Sequence, residues 1–204
     1  MIRDRDGLTN EQIEEIELNG KIKCLKKRHI ENYFLDSELL FKVAERLCTT
    51  ALDTRLNQPF IDSELKRIAR SLLNLNLLLN IKEYLMLNHS FEIPTVRDVE
   101  SKTSDAIRAE MNLGVQDAIN KLQSDLSQAS FGAWIDSEKL KLANDLENGE
   151  WINTFAGKGI FAIFCSSVLR ENPMKVRQAY VDIALSEKPE VFGDIIEIFT
   201  GFSS

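Results

Sequence analysis

The chain has 204 residues, of which 44% are hydrophobic and 28% are charged, and its formal net charge is −7. This length and composition are typical of one globular domain, or one and a half small ones, with a full hydrophobic core. The acidic balance argues against indiscriminate binding to polyanions, although it leaves room for a local basic surface. No apolar run reaches the roughly 18 residues of a membrane span, and the N-terminus has no apolar signal segment.

The cysteines and histidines indicate a reduced, cytoplasmic protein without zinc. Cys24, Cys48 and Cys165 are far apart and never form a Cys-x-x-Cys pair, so we expect buried free thiols. His29 and His89 are the only histidines, which are too few for the usual zinc sites. We therefore expect a cytoplasmic location and no membrane partner.

An Asp-x-Asp-Gly motif opens the chain. If residues 2–6 form a strand, the side chains of Asp4 and Asp6 point to the same face, and Gly7 then allows a sharp turn. Two such carboxylates predict a Mg²⁺ or Mn²⁺ site, because hard cations prefer carboxylate oxygen. Asp and Gly are also common in ordinary turns, and that alternative stays open for so short a motif.

The motif begins a predicted strand–helix–strand unit. Thr9 is a suitable N-cap for a helix over residues 10–18, and residues 21–25 alternate as a short strand. A right-handed crossover of this kind makes the two strands parallel neighbours. Groups beyond the carboxyl ends of parallel strands lie at one edge of the sheet, so we expect Asp6 and the basic residues 26–28 to meet there.

Basic residues are densest around the second strand. One interpretation is contact with DNA phosphates beside a metal site, and the other is a strand edge that lysines protect from aggregation. The predicted DNA-backbone contacts are Lys23, Lys26, Lys27 and Arg28. Glu31 is a candidate third acidic ligand or a group that supports the ligands, but pairing with an arginine that holds a loop is the preferred interpretation.

Helical patterns fill most of the remaining chain. Apolar residues at helical spacing predict helices over 38–48, 62–88, 101–127, 137–148, 160–169 and 189–199, and a further one that begins at Pro173. Asp62 or Ser63 is the predicted N-cap of the helix over 62–88, which is apolar over so much of its surface that it packs in a core or, alternatively, along a dimer seam. A break is predicted at residues 131–134 and an extended linker at residues 91–96.

Gly157-Lys158-Gly159 precedes the helix predicted over residues 160–169. The Gly-x-x-x-x-Gly-Lys-Ser/Thr spacing of a P-loop is absent, so we expect no ATP binding by that route. A lysine at a helix N-terminus can still contact a phosphate, with help from free backbone N–H groups. The alternative is a surface lysine between two glycines.

The order of these landmarks resembles the second half of the Toprim nuclease domain in the overcoming-lysogenisation-defect family and related AAA ATPases. Residues 2–36 carry the resemblance through the Asp-x-Asp-Gly motif and the string Arg-His-Ile-Glu-Asn-Tyr-Phe-Leu-Asp, and residues 151–164 through the Gly-Lys turn. The resemblance implies metal-dependent DNA cleavage, with Asp4 and Asp6 on the metal. It also implies a catalytic role for Lys158, which would stabilise the phosphate under attack.

The family pattern includes features that this sequence lacks: an upstream strand with a catalytic Glu, a further acidic residue and an ATPase domain. Two-metal cleavage of a phosphodiester needs several carboxylates to hold both ions and to orient water. We therefore expect an incomplete two-metal site and weak or no cleavage by this chain alone. The implied partners are DNA and an ATPase domain or subunit, and a homodimer is a further alternative.

The predicted fold is mainly α with an α/β remnant, in which a helical bundle follows a short parallel strand pair, as in the second half of a Toprim domain. Residues 1–36 would form a partial Toprim α/β segment with the Asp-x-Asp motif. Residues 37–204 would form a helical C-terminal region with the Gly-Lys turn. The competing hypothesis is a non-catalytic helical module for protein interaction.

Overall fold

A computed structural model describes residues 1–6, 8, 10–18, 20–47, 56–88 and 102–201. The chain divides into two compact units, Met1–Asn76 with Leu142–Ser204, and Leu77–Lys141. The described part is mainly helical with one short parallel strand pair, which confirms the predicted fold at that level. The boundary at residue 36 rests on the Toprim resemblance and stays a prediction.

The parallel strand pair is present but shorter than predicted. Strand β1 (Ile2–Arg3) pairs with β2 (Lys23–Cys24), Ile2 lies opposite Lys23, and helix α1 (Asn10–Glu17) connects the strands. The Glu17 carboxylate accepts a hydrogen bond from the Cys24 N–H at 2.8 Å, which ties the end of α1 to β2. The strand predicted over residues 2–6 therefore ends at Arg3, before either aspartate.

Helices make up the rest of the described chain. They are α2 (Ser37–Leu47), α3 (Gln58–Ser71), α4 (Leu73–Asn88), α5 (Ser104–Asp125), α6 (Gln128–Asn148), α7 (Trp151–Thr154), α8 (Gly157–Phe164), α9 (Pro173–Glu187) and α10 (Gly193–Gly201). Short 3₁₀ helices cover Ile30–Phe34 and Pro189–Phe192, and a π-helical segment, Cys165–Leu169, continues α8. As predicted, a helix begins at Pro173.

The core of the first unit is organised around aromatic side chains. The ring of Phe34 lies 5.4 Å from that of Tyr180, 5.6 Å from that of Phe161 and 6.0 Å from that of Phe192, between ring centroids. These are the spacings at which tilted and edge-to-face aromatic pairs attract one another. The buried aliphatic residues of α2 and α3 surround them: Leu39, Leu40, Val43, Ala44, Ile61, Leu65 and Ile68.

The structure corrects the prediction of a single helix over residues 62–88. Helix α3 begins at Gln58, because the Asn57 side-chain oxygen accepts the Phe60 N–H at 2.9 Å and so caps the helix. Leu72 then leaves the helical path, with φ −97° and ψ 8°, and separates α3 from α4. Asp62 and Ser63, the predicted caps, lie inside α3.

The second unit contains an aromatic cluster where the sequence predicted a break. Phe131 and Trp134 lie within α6, and their rings stack with centroids 5.8 Å apart. The Tyr84 ring of α4 lies 4.4 Å from that of Trp134. The prediction of a break at residues 131–134 is therefore wrong, because the aromatic residues pack together without interrupting the helix.

Apolar side chains at helical spacing in α5 are incompletely covered. Met111, Val115 and Ile119 are 36%, 42% and 42% exposed, and no described residue of α5 is buried. The pattern predicted over 101–127 therefore does form a helix, but the described residues do not enclose its apolar side chains.

Several predictions concern residues outside the described part of the chain, namely Gly7, Thr9, Cys48, His89 and the linker over 91–96. The other two cysteines, Cys24 and Cys165, are buried free thiols, as expected. None of the described helices combines the length and the apolarity that crossing a bilayer requires.

The N-cap of α3 can be tested against the caps predicted from the sequence. We expect Asn57→Ala to lower the free energy of unfolding by about 1 kcal/mol, because the Phe60 N–H loses its acceptor. Asp62→Ala, on the exposed face inside the helix, should change it by less than about 0.5 kcal/mol. Urea unfolding followed by circular dichroism measures both, and the reverse order of effects would contradict the assigned helix start.

Candidate functional site

The two motif aspartates lie against the segment that follows β2. The Asp4 Oδ1 atom accepts a hydrogen bond from the Ile30 N–H at 3.1 Å. The Asp6 N–H donates to the Arg28 carbonyl oxygen at 3.2 Å, and the Asp6 Oδ1 atom lies 3.3 Å from His29 Nε2. Contacts with residues 28–30, and not alternation along a strand, therefore determine where these carboxylates lie.

The backbone at Asp6 is in the left-handed region, with φ 49°. Aspartate tolerates this conformation better than most residues, because its short polar side chain can bond locally. The turn lets the chain leave β1 while both carboxylates stay beside residues 28–30. The predicted meeting of Asp6 with the basic segment is thus present, by means of a turn.

The environment of Asp4 disfavours its charged form. Burial raises the pKa of Asp4, and the charges of Asp6 and Glu31 act in the same direction. The hydrogen bond from Ile30 and the charge of His29 partly oppose this shift. A cation beside the two carboxylates would favour the ionised form of Asp4.

A second part of the site is the turn that precedes Lys158. Among the described residues, the buried polar or charged side chains are Arg28, Asn32 and Asn76. All three make hydrogen bonds to the backbone of residues 152–157. A buried polar side chain without a partner costs about 1–3 kcal/mol, so these bonds are needed for the fold.

Asn32 makes most of the contacts with this turn. Its Nδ2 atom donates to the carbonyl oxygens of Ile152 at 2.7 Å and Phe155 at 2.9 Å. Its Oδ1 atom accepts from the N–H groups of His29 at 3.0 Å and Gly157 at 3.3 Å. The carboxamide therefore joins the segment after β2 directly to the Gly-Lys turn.

Arg28 and Asn76 hold the remaining residues of the turn. The Arg28 N–H donates to the Asn153 carbonyl oxygen at 2.9 Å, and Arg28 Nη1 donates to the Thr154 carbonyl oxygen at 3.1 Å. The Asn76 Oδ1 atom accepts the Ala156 N–H at 2.7 Å. Each residue from 152 to 157 thus has a backbone group bonded to one of these three residues.

Lys158 follows this turn as an exposed residue in the first turn of α8. The helix predicted from residue 160 therefore begins earlier, at Gly157. Backbone N–H groups at a helix N-terminus favour an anion, and a lysine there adds a mobile positive charge. Bonds to the preceding backbone fix the position from which the Lys158 side chain extends.

His29 links the two parts of the site. Its backbone N–H shares the Asn32 Oδ1 atom with Gly157, and its Nε2 atom faces Asp6. The Asp-x-Asp motif and the Gly-Lys turn therefore contact the same short segment, residues 28–32. The side chain of His29 is only 17% exposed.

The predicted DNA-contacting residues have partners within the protein. Lys23 Nζ lies 2.9 Å from a Glu17 oxygen, and Lys26 Nζ donates to Glu197 at 3.4 Å. Lys27 Nζ donates to the Asn32 carbonyl oxygen at 3.2 Å. Arg28 is 3% exposed and has the internal role described above. Contact of Lys23, Lys26, Lys27 and Arg28 with DNA stays a prediction.

Glu31 has the arginine partner that the sequence favoured. The Arg177 Nη2 atom of α9 donates to its Oε1 atom at 3.0 Å, and the Glu31 side chain is 12% exposed. The guanidinium also lies over the rings of Phe34 and Phe161, at 5.3 and 5.9 Å. Glu31 thus anchors α9 to the 3₁₀ helix that contains Asn32.

The sequence did not predict the internal roles of Asn32, Asn76 and Arg28. Asn76 lies four residues after Leu72 in a leucine-rich stretch, and Asn32 lies two residues before the apolar pair Phe34-Leu35. An amide among apolar residues can indicate a buried hydrogen-bonding group, but Asn74 and Asn80 occur in the same stretch as Asn76, and Glu31 precedes Asn32. The sequence therefore singles out neither asparagine, and a buried arginine has no comparable signature.

Two carboxylates could serve at most a single divalent cation. Mg²⁺ usually takes one or two carboxylates and completes its shell with water and substrate phosphate. Within the described part of the chain, no three His, Cys, Asp or Glu side chains are grouped so as to hold a metal ion. Further carboxylates would have to complete a two-metal site.

Comparisons with known proteins do not identify this chain: no family model, no curated protein and no solved structure matches it. The Toprim resemblance therefore rests on the residues quoted above.

The two glycines beside Lys158 provide a matched test of the turn. A Cβ atom at Gly157 would lie 2.7 Å from the Asn32 backbone nitrogen and would also clash with its carboxamide, whereas one at Gly159 meets only a Leu72 methyl at 3.3 Å. We expect Gly157→Ala to lower the free energy of unfolding by more than about 2 kcal/mol. Gly159→Ala should change the free energy of unfolding by no more than about 1 kcal/mol. Chemical denaturation compares the two variants, and equal effects would contradict the assigned contacts of Asn32.

Because the pKa of Asp4 is raised, replacing its carboxyl group should increase the stability of the protein by an amount that depends on pH. A carboxyl group whose pKa is raised in the folded state contributes stability that is fully present at pH values below its ordinary pKa of 3.8. This contribution is lost as the pH rises through the raised pKa. Asp4→Asn keeps an oxygen for the Ile30 N–H, so we expect greater stability at pH 7 and little change at pH 3. The control is Asp62→Asn on the exposed face of α3. Thermal unfolding at both pH values measures the effect, and a lower stability of Asp4→Asn at pH 7 would contradict the prediction.

Proposed function

We propose that this chain is the C-terminal part of a metal-dependent, Toprim-type DNA endonuclease associated with an ATPase, and that it is incomplete for catalysis alone. The observation that supports this proposal most is the contact of the Asp-x-Asp motif and the Gly-Lys turn with one segment, residues 28–32. These motifs lie more than 140 residues apart in the sequence. Phosphodiester cleavage requires carboxylates and a cation near the same phosphate.

In this proposal each side chain has a distinct role. Asp4 and Asp6 would hold Mg²⁺ or Mn²⁺, and such an ion would supply Lewis-acid polarisation of a phosphoryl oxygen and a more acidic bound water. His29 keeps the Asp6 carboxylate in place through the contact at 3.3 Å. Lys158 neutralises charge that develops on the phosphate under attack. Lys26 and Lys27 immediately precede this segment and attract the DNA backbone.

The site needs residues beyond the two aspartates. A second ion and an oriented water require further carboxylates, which another part of the protein or a partner would supply. For this reason we propose that the chain alone cleaves DNA weakly or not at all. We also propose that it acts with an ATPase domain or subunit.

A non-catalytic helical interaction module is the second candidate. The exposed apolar side chains of α5 favour it, because Met111, Val115 and Ile119 remain 36–42% exposed at helical spacing. Such a stripe is typical of a surface that packs on another helix. This candidate requires neither a metal ion nor DNA, so binding of either one separates the two hypotheses.

Metal binding tests the proposed function without requiring turnover. We expect the chain to bind Mn²⁺, measured by the loss of the free-ion signal in electron paramagnetic resonance, with a dissociation constant weakened at least tenfold in Asp4→Asn and Asp6→Asn. Asp62→Asn should bind as the wild type does, because that residue lies on α3 away from the motif. Lys158→Gln should leave Mn²⁺ binding intact but weaken Mn²⁺-dependent binding of duplex DNA several-fold.

Plasmid nicking completes this test. We expect little nicking by the isolated chain, and strong nicking that disappears in Asp4→Asn would support the endonuclease but contradict its incompleteness. Wild-type protein that binds no Mn²⁺, or Mn²⁺ binding that survives in both aspartate variants, would reject the metal site and favour the interaction module.

A further inference from the structure

Helix α10 places the Asp194 carboxylate in an anion-binding site formed by Lys26, Lys27 and Tyr33, which we call the seat. The Asp194 Oδ2 atom accepts hydrogen bonds from the Lys26 N–H at 3.2 Å and from the Tyr33 hydroxyl group. The same hydroxyl oxygen accepts the Lys27 N–H at 3.3 Å. One backbone N–H and one side-chain O–H thus converge on a single carboxylate oxygen.

Two ammonium groups surround this seat. Lys27 Nζ lies 4.9 Å from the centre of the Tyr33 ring, and burial lowers the pKa of Lys27 while the charges of Asp194 and Asp36 oppose that shift. Lys26 Nζ lies 3.4 Å from Glu197, one turn after Asp194 on α10. The carboxylates of α10 therefore contact the basic residues that the proposed function assigns to DNA.

The helix that carries these carboxylates is loosely held. No residue of α10 is buried, and Ile196 and Phe199 are 44% and 60% exposed. A cleft of about 500 Å³ is lined by Arg5 and by residues of α1, β2 and α10, including Lys23 and Asp194. Elements with few buried apolar contacts open at low free-energy cost, so α10 can leave without unfolding the core.

Carboxylate and phosphate oxygens accept the same donors. Backbone N–H groups, hydroxyl groups and lysine ammonium groups are the usual ligands of nucleic-acid phosphates. An internal carboxylate in such a seat competes with an external phosphate for those donors, and the two cannot occupy it together.

We propose that the seat formed by Lys26, Lys27 and Tyr33 binds a phosphate of the DNA backbone, and that Asp194 and Glu197 of α10 block it in the free protein. The helix is thus an internal competitor that nucleic acid displaces. The identity of the ligand as DNA rests on the proposed function, whereas the competition between α10 and an oxyanion rests on the contacts described above.

Binding of a fluorescent 20-base-pair duplex, measured by anisotropy in EDTA, tests the competition without any metal site. We expect Asp194→Asn to bind the duplex roughly tenfold more tightly than the wild type, a size typical of coupling between two sites. Glu190→Gln is the matched control, because it removes the same charge from an exposed residue just before α10. Lys26→Ala, added to Asp194→Asn, should cancel the gain.

A measurement on the wild-type chain does not depend on how any variant folds. We expect saturating duplex to increase hydrogen–deuterium exchange of Gly193–Gly201, because the helix leaves its seat. Pyrophosphate identifies the source of the phosphate: competition at micromolar concentrations would assign the seat to a free phosphate compound and overturn the DNA assignment.

Three other results would overturn the proposal. These are an equal gain in Glu190→Gln, unchanged or slower exchange of α10 in the duplex-bound wild type, and no duplex binding by either the wild type or Asp194→Asn. Since all arms omit metal, failure of the Mn²⁺ site would leave this test intact, and failure here would leave the Mn²⁺ result intact.

Discussion

The structure of the first unit depends on three buried polar side chains that form hydrogen bonds with the backbone of one turn, residues 152–157. Arg28, Asn32 and Asn76 are buried, and each donates to or accepts from the backbone of residues 152–157. The turn could not enter the interior without them, since buried backbone groups need partners. The side chains would likewise be costly without the turn. Hydrogen bonds between the turn and the three side chains satisfy both sets of polar groups, and Lys158 directly follows the turn.

The charged groups of the first unit are similarly paired across long distances in the sequence. Glu31 bonds to Arg177, and Lys26 bonds to Glu197, so α9 and α10 are both attached to the segment after β2. The two pairs differ in burial. The Glu31 side chain is 12% exposed and that of Lys26 is 72% exposed, so the second pair contributes less and is easier to exchange.

Local patterns in the sequence predicted the parallel strand pair, α2 and the start of α9 at Pro173. They did not predict the separation of α3 from α4 at Leu72, nor the continuity of α6 through Trp134, because packing and local bonds override the pattern there. The aspartates and Lys158 stand out in the sequence as candidates because carboxylates, glycines and a lysine have chemical signatures. The position of the Gly-Lys turn depends on Asn32, and the sequence does not show which amide bonds to which backbone group.

The bonds between Asn32 and the turn join residues 120 to 125 positions apart. Contacts of such long range form late, since the intervening chain must close first, and they slow folding. The residues between them include the whole of the second unit, Leu77–Lys141. A nascent or partly folded chain therefore lacks the bonds between Asn32 and the Gly-Lys turn, and the turn takes its final position only when folding is complete.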